Sequence, residues 1–143
     1  MDFLKKLFSG SDDAASVDYY REGLELLRGG RYHEALTSFR LALRDSPGDV
    51  AILQQIAISH TRIGMTDEAA RTYRTVLERD PTAVGAHYGL AFLLLRDGRS
   101  EEAADHLRRF LASPPSEEGA ESHIEHARAT LARLEEKPVE RNP

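Results

Sequence analysis

The chain lacks two residue types altogether, because its 143 residues include no cysteine and no tryptophan. Without cysteine, neither disulfide bonds nor thiolate metal sites can form. An excess of positive charge is also missing, since 24 acidic residues outnumber 19 basic ones and the formal net charge is -5. Nucleic-acid binding depends on neutralising phosphates with Lys and Arg, so DNA and RNA are not expected partners.

Long apolar runs are missing as well. No stretch of the sequence reaches the roughly 18–20 consecutive apolar residues that a membrane-spanning helix requires. The first ten residues, MDFLKKLFSG, interrupt their apolar positions with Lys5 and Lys6 and therefore lack the continuous apolar region of a secretory signal. These absences predict a cytoplasmic protein.

A spacing of 34 residues organises the chain and predicts an internal repeat. It separates the members of four sets of equivalent positions. The sets are Gly23, Ala57 and Ala91; Gly30, Gly64 and Gly98; Ala35, Ala69 and Ala103; and Pro47, Pro81 and Pro115.

Each set has a physical role in a pair of helices. Small residues let two helix backbones approach closely, a glycine after an apolar helical stretch suits a C-terminal cap with positive φ, and a proline stops the second helix. Large apolar residues recur at helical spacing between these positions, and no segment alternates with a period of two. The pattern predicts an all-α fold built from helix–turn–helix units.

Residues 16–116 resemble three tandem tetratricopeptide repeats. The resemblance rests on Tyr19, Gly23, Tyr32, Ala35, Phe39, Ala42, Pro47, Ala57, Gly64, Ala69, Tyr73, Pro81, Ala91, Gly98, Ala103 and Pro115. It implies a right-handed α-solenoid whose concave groove is lined by the first helix of each pair and typically binds peptides or helices of other proteins.

The resemblance also implies where each part of the chain begins. Repeats are expected at residues 16–49, 50–83 and 84–116, after an N-terminal segment and flexible link at 1–15. A capping helix at 117–137, starting after an N-cap at Ser116, would shield the last repeat from water, and residues 138–143 would be a loose tail. Glu22 and His87 depart from the family pattern, since apolar or aromatic residues are usual there.

The side chains that the resemblance assigns to the groove are unusually apolar, and a basic residue recurs beside them. They are Tyr20, Leu24, Leu27, Arg28, Ile58, Arg62, Tyr88, Phe92, Leu95 and Arg96. We expect an adaptor or scaffold that binds a helical or extended segment of a partner protein. Two alternatives stay open: the closing helix or neighbouring repeats cover part of this strip, and the arginines only stabilise helix C-termini instead of pairing with ligand carboxylates.

The N-terminal segment is the most individual feature of the sequence. As a helix, it would present an apolar face with two lysines off that face. We call Phe3, Leu4, Lys5, Lys6, Leu7 and Phe8 the anchor segment. It needs a surface to cover its apolar side chains, and its own repeats, another copy of the chain and a lipid headgroup layer all qualify. Two rival functions follow, a scaffold recruited to the inner face of the membrane and a self-assembling structural protein.

Catalytic motifs are not found in the sequence. There is no glycine-rich phosphate loop, no nucleophile elbow and no zinc-ligand spacing, and His123 and His126 lack a companion carboxylate arrangement. We therefore predict no enzymatic activity, no cofactor and no metal site. The identity of the partner, the pathway and the oligomeric state lie beyond the sequence.

Overall fold

The computed structural model describes residues 18–136, and all regular secondary structure in that range is helical. Its helices are α1 (Tyr19–Arg28), α2 (Tyr32–Asp45), α3 (Val50–Ile63), α4 (Thr66–Arg79), α5 (Val84–Arg96), α6 (Ser100–Ala112) and α7 (Ala120–Glu135). The chain divides between Met65 and Thr66 into two compact units, which we call unit 1 and unit 2. The predicted all-α fold class is confirmed.

Local chemistry sets the helix ends. The side chains of Asp18 and Asp49 each accept a hydrogen bond from the backbone N–H three residues later, at 3.0 and 3.2 Å, and so cap α1 and α3. Gly30, Gly64 and Gly98 follow α1, α3 and α5 with φ angles of 77°, 96° and 77°. Only glycine adopts this left-handed conformation without steric cost, so the predicted turns are confirmed.

The buried apolar cluster of unit 1 contains the aromatic ring of Phe39. Helices α1 and α3 both pack against α2, and Phe39 of α2 is fully buried between them. A Cβ atom built on Gly23 of α1 would lie only 2.5–2.8 Å from the ring carbons of Phe39. The close packing of α1 on α2 therefore depends on the missing side chain at position 23.

Unit 2 repeats this arrangement with other residues. Each of its helices packs against the next one along the chain. Gly89 of α5 faces the ring of Tyr73 on α4, which leaves no room for a Cβ atom. A second apolar cluster joins α5, α6 and α7, and its buried members are Ala91, Leu107, Phe110 and Ala127.

The small residues that were predicted to lie between packed helices are buried in every copy. Those of the first helices are Gly23, Ala57 and Ala91, and those of the second helices are Ala35, Ala69 and Ala103. Larger side chains at these positions would hold neighbouring helices apart, because protein interiors are close-packed.

The last helix begins later than the expected N-cap at Ser116. Helix α7 starts at Ala120, and Gly119 occupies the N-cap position with a φ of 88°. The carbonyl of Glu117 accepts a hydrogen bond from the N–H of Ala120 at 3.1 Å, which closes a turn before the helix. A positive φ at Gly119 interrupts helical geometry, so the acidic residues before it lie in the turn and not in the first turn of α7.

Two expectations concern the membrane and the N-terminus. Within residues 18–136, no helix combines the length and the apolar character that crossing a bilayer demands. The anchor segment lies outside the described residues, so its predicted helix stays a prediction.

Gly23→Ala tests the close packing in unit 1. The added Cβ would collide with the buried ring of Phe39, and we expect the free energy of unfolding to fall by about 1–3 kcal/mol, as is typical of overpacked cores. Gly29→Ala is the matched control, because a Cβ there would lie 3.5 Å from its nearest neighbour, in ordinary contact. Urea unfolding followed by far-UV circular dichroism measures both variants. Equal losses of stability in the two would contradict this account.

Candidate partner-binding site

The residues that the sequence assigns to the groove fall into one set in each unit. The α1/α3 set of unit 1 comprises Tyr20, Leu24, Leu27 and Arg28 on α1 and Ile58 and Arg62 on α3. The α5 set of unit 2 comprises Tyr88, Phe92, Leu95 and Arg96.

The apolar side chains of the α1/α3 set are half-buried. Tyr20, Leu24 and Leu27 pack against the buried cluster that contains Phe39, and the rings of Tyr20 and Phe39 lie 5.9 Å apart between centroids. Ile58 is also half-buried but is not among the residues packed against that cluster. The core thus supports three of these side chains from behind and leaves part of each accessible.

The three arginines lie where the helix dipole favours them. Arg28, Arg62 and Arg96 are exposed in the last turns of α1, α3 and α5, and a cation there gains about 0.3–1 kcal/mol at an exposed site. Arg62 has a second partner, because its Nη1 donates to the Tyr32 hydroxyl at 3.4 Å and its guanidinium carbon lies 5.6 Å from the centre of that ring. Tyr32 therefore helps to hold Arg62 in place.

Aromatic contacts fix the α5 set. The ring of Tyr88 lies 4.8 Å from that of Phe92 and 5.0 Å from that of Phe110 between centroids. Its partial burial raises the pKa of the Tyr88 hydroxyl, because the charged phenolate loses solvation.

Helix α7 covers part of the α5 set. The sequence left this arrangement open as the alternative in which the closing helix covers part of the apolar strip. His126 of α7 stacks on Phe92 with 4.6 Å between ring centroids and 12° between planes, and His123 meets Tyr88 edge-on at 5.2 Å. Both histidines are nevertheless exposed on their other sides. From the sequence, both histidines were expected to lie on solvated surface. Their spacing of three residues places them on one face of the helix, and this spacing was the signal that could have indicated a shared contact.

Leu95 and Arg96 complete the α5 set at the end of the helix. Leu95 is half-buried and is not among the residues that pack against the apolar cluster of Phe110. It is therefore the apolar member of the set whose replacement would disturb that cluster least.

A polar cleft of about 430 Å³ opens in unit 2 beside the end of α5. Four arginines line it, and three of them already bind carboxylates of their own unit: Arg71 binds Glu68 at 3.2 Å, and Arg74 and Arg99 bind Glu102 at 3.0 and 2.6 Å. Partial burial alone would raise the pKa of Glu102, but Arg74, Arg99 and His106 together lower it. These pairs neutralise most of the cationic charge in the cleft.

The described side chains offer little to a metal ion. Within residues 18–136, no three His, Asp or Glu side chains come together in an arrangement that would hold one.

Comparison with known families identifies the repeat. Residues 55–118 match the family model of the tetratricopeptide repeat. A sequence comparison with curated proteins gives no significant match.

Solved structures with the same fold are numerous. The Yersinia enterocolitica type III secretion chaperone SycD, in complex with a peptide of the translocator YopD, aligns over 85% of this chain and 92% of its own with a TM-score of 0.75 and 16% identity. The TPR2B domain of yeast Sti1 in its pHsp70 complex aligns over 82% and 93% with a TM-score of 0.71 and 16% identity. The Sgt2 TPR domain from Aspergillus fumigatus aligns over 90% and 88% with a TM-score of 0.68 and 16% identity.

The TM-scores show that these proteins share a fold with this chain. Sequence identities of 16% do not carry function across, because function depends on the sites that each chain carries. The family match lies on the second and third expected repeats, and the structural likeness extends over most of the chain. Residues 55–118 therefore carry the tetratricopeptide repeat by sequence, and the chain shares the fold of the tetratricopeptide-repeat domains among these structures.

Proposed function

We propose that the chain is an adaptor that binds a helical or extended segment of a partner protein through the α1/α3 set of unit 1 or the α5 set of unit 2. The observation that carries the proposal is the shared fold, because SycD and the Sti1 domain, which have that fold, were solved with a YopD peptide and with pHsp70. Half-buried apolar side chains in both sets support it, since such surface binds the apolar face of a peptide.

Preorganisation favours binding at these side chains. Tyr20 is held against Phe39, and Phe92 is stacked on His126. Side chains that are already ordered lose less conformational entropy when a ligand arrives, so more of the contact energy contributes to affinity. Aromatic residues are also the ones that most often dominate protein interfaces.

A binding role also agrees with the chemistry of the polar cleft. Three of its arginines are engaged by carboxylates of unit 2, whereas electrostatic catalysis needs donors aimed at the reacting group of a substrate. We therefore infer that the chain acts by binding and not by catalysis.

The composition of the anchor segment favours a second candidate function, a scaffold recruited to the inner membrane face. Phe3, Leu4, Leu7 and Phe8 would enter the lipid, and Lys5 and Lys6 would contact anionic headgroups. A short amphipathic segment binds weakly without a second signal, even with about 1 kcal/mol from each lysine. We therefore rank docking of this segment onto protein, its own chain or another copy, ahead of lipid.

Ile58→Glu tests the α1/α3 set. A buried carboxylate opposite an apolar ligand face loses solvation, so we expect partner capture from native lysate to fall by at least about tenfold. Mass spectrometry of the captured material identifies the partner, and titration of the purified partner measures the change in affinity.

Ala51→Glu is the matched control, because Ala51 is exposed on the same helix and the substitution adds the same charge. It should capture the partner as the natural chain does, and thermal melting should show both variants folded. Undiminished capture by Ile58→Glu, together with undiminished capture by Leu95→Glu, would refute binding at the two sets.

Removal of residues 1–10 tests the anchor segment. We expect full-length and shortened chains to co-sediment equally with vesicles of phosphatidylcholine and phosphatidylserine, because the segment alone binds lipid weakly. Light scattering over a concentration series measures self-association in the same two proteins. If the full-length chain co-sediments with vesicles and the shortened chain does not, the membrane scaffold replaces the adaptor proposal. If the molar mass rises with concentration only when the segment is present, self-assembly is favoured.

A further inference from the structure

Unit 2 buries two histidines in contact with each other where α5 meets α6. Nδ1 of His87 lies 2.9 Å from Nδ1 of His106, and Nε2 of His87 lies 3.0 Å from the carbonyl oxygen of Pro81. His87 is 5% exposed, and the side chain of His106 is 16% exposed. The sequence drew attention to His87 only as a departure from the usual aromatic residue and did not predict its partner.

The hydrogen-bond partners determine where the protons lie. A carbonyl oxygen only accepts, so Nε2 of His87 must carry a proton and donate it to Pro81. In a neutral His87, Nδ1 is then an acceptor. The short contact between the two rings therefore requires a proton on Nδ1 of His106, which donates to His87.

The second ring nitrogen of His106, Nε2, can bind one more proton without disturbing the contact between the two rings. Its Nε2 lies 4.0 Å from Oε2 of Glu102, and a proton on this nitrogen would face that carboxylate. A further proton has only Nδ1 of His87 left to bind. It would place two N–H groups against each other across 2.9 Å and would put two positive charges in contact.

Charged groups of α4 and α6 act on His106. Burial and the neighbouring His87 lower the pKa of His106, and Arg74 of α4 and Arg109 of α6 lower it further. Glu102 of α6 acts in the opposite direction, but Arg74 and Arg99 already bind its carboxylate. The net effect keeps the pKa of His106 below the ordinary 6.5.

We propose that the His87–His106 pair is a proton-sensitive latch between α5 and α6, closed while it holds at most one extra proton and opened by the second. The inference rests on ring geometry within unit 2 and does not depend on the adaptor function. Because α5 and α6 share the apolar cluster around Phe110, opening the latch would loosen the packing of these helices.

The direction of the pH effect follows from proton linkage. Unfolded, His106 would bind a proton near pH 6.5, whereas the folded chain holds the pKa of His106 below that value. The stability linked to an uncharged His106 is therefore fully present above pH 6.5 and is lost as the pH falls through 6.5 toward the lowered pKa of the folded state. For each proton taken up on unfolding, the unfolding constant rises by at most about tenfold per pH unit.

Nitrogen-15 NMR of the imidazoles in the full chain tests the proton arrangement directly. At pH 7.5 we expect His87 with its proton on Nε2 and His106 with its proton on Nδ1. On acidification, the first further proton should enter at Nε2 of His106, and a second should enter the pair only as native signals from α5 and α6 disappear. The opposite tautomer at either ring, or native signals that persist when both rings carry two protons, would overturn the proposal.

His106→Gln tests the consequence for stability, because glutamine keeps an N–H donor but cannot take up a proton. Between pH 7.5 and 5.5, the urea unfolding constant of the natural chain should rise up to about tenfold more than that of this variant. His33→Gln removes an exposed imidazole of unit 1 and should behave as the natural chain does. The proposal fails should His106→Gln keep the full acid sensitivity, or should His33→Gln lose it equally. If His106→Gln does not fold, the NMR titration of the natural chain decides.

Discussion

Close approach of neighbouring helix backbones is the constraint on which both units depend. Gly23 lies under the ring of Phe39, and Gly89 lies under that of Tyr73, with no space for a methyl group in either place. The helices that make these contacts, α1 and α5, also carry most of the candidate binding side chains. Because Gly23 and Gly89 have no side chain, their helices approach the neighbouring helices closely, and this approach sets the positions of the candidate binding side chains relative to the core. In a close-packed interior, a displacement at these contacts would also shift those side chains.

Much of this fold could be predicted because its determinants are local. The 34-residue spacing located the buried alanines and the glycines with positive φ, since each such position needs only a backbone conformation or a small contact. The start of α7 was misplaced for a related reason. Ser116 with two acids after it satisfies the chemistry of a helix start, and the sequence did not show that Gly119 would adopt a positive φ and delay the helix to Ala120.

The candidate site was less predictable, because its contacts join residues far apart in sequence. Phe92 meets His126 across 34 positions, and His87 meets His106 across 19. Helical periodicity states which face of a helix a residue occupies, but not which side chain of another helix it will touch. His87 departs from the family pattern in the sequence, but only the structure shows that His106 lies beside it.

Packing between helices that are consecutive along the chain has a kinetic consequence within each unit. The helices of unit 2 are joined by short connections and contact their immediate neighbours. Little entropy is lost in closing such loops, so native pairings form early, and proteins rich in local contacts are among the fastest to fold. Synthesis on the ribosome would thus allow each hairpin to form soon after it emerges, well before the next one is complete.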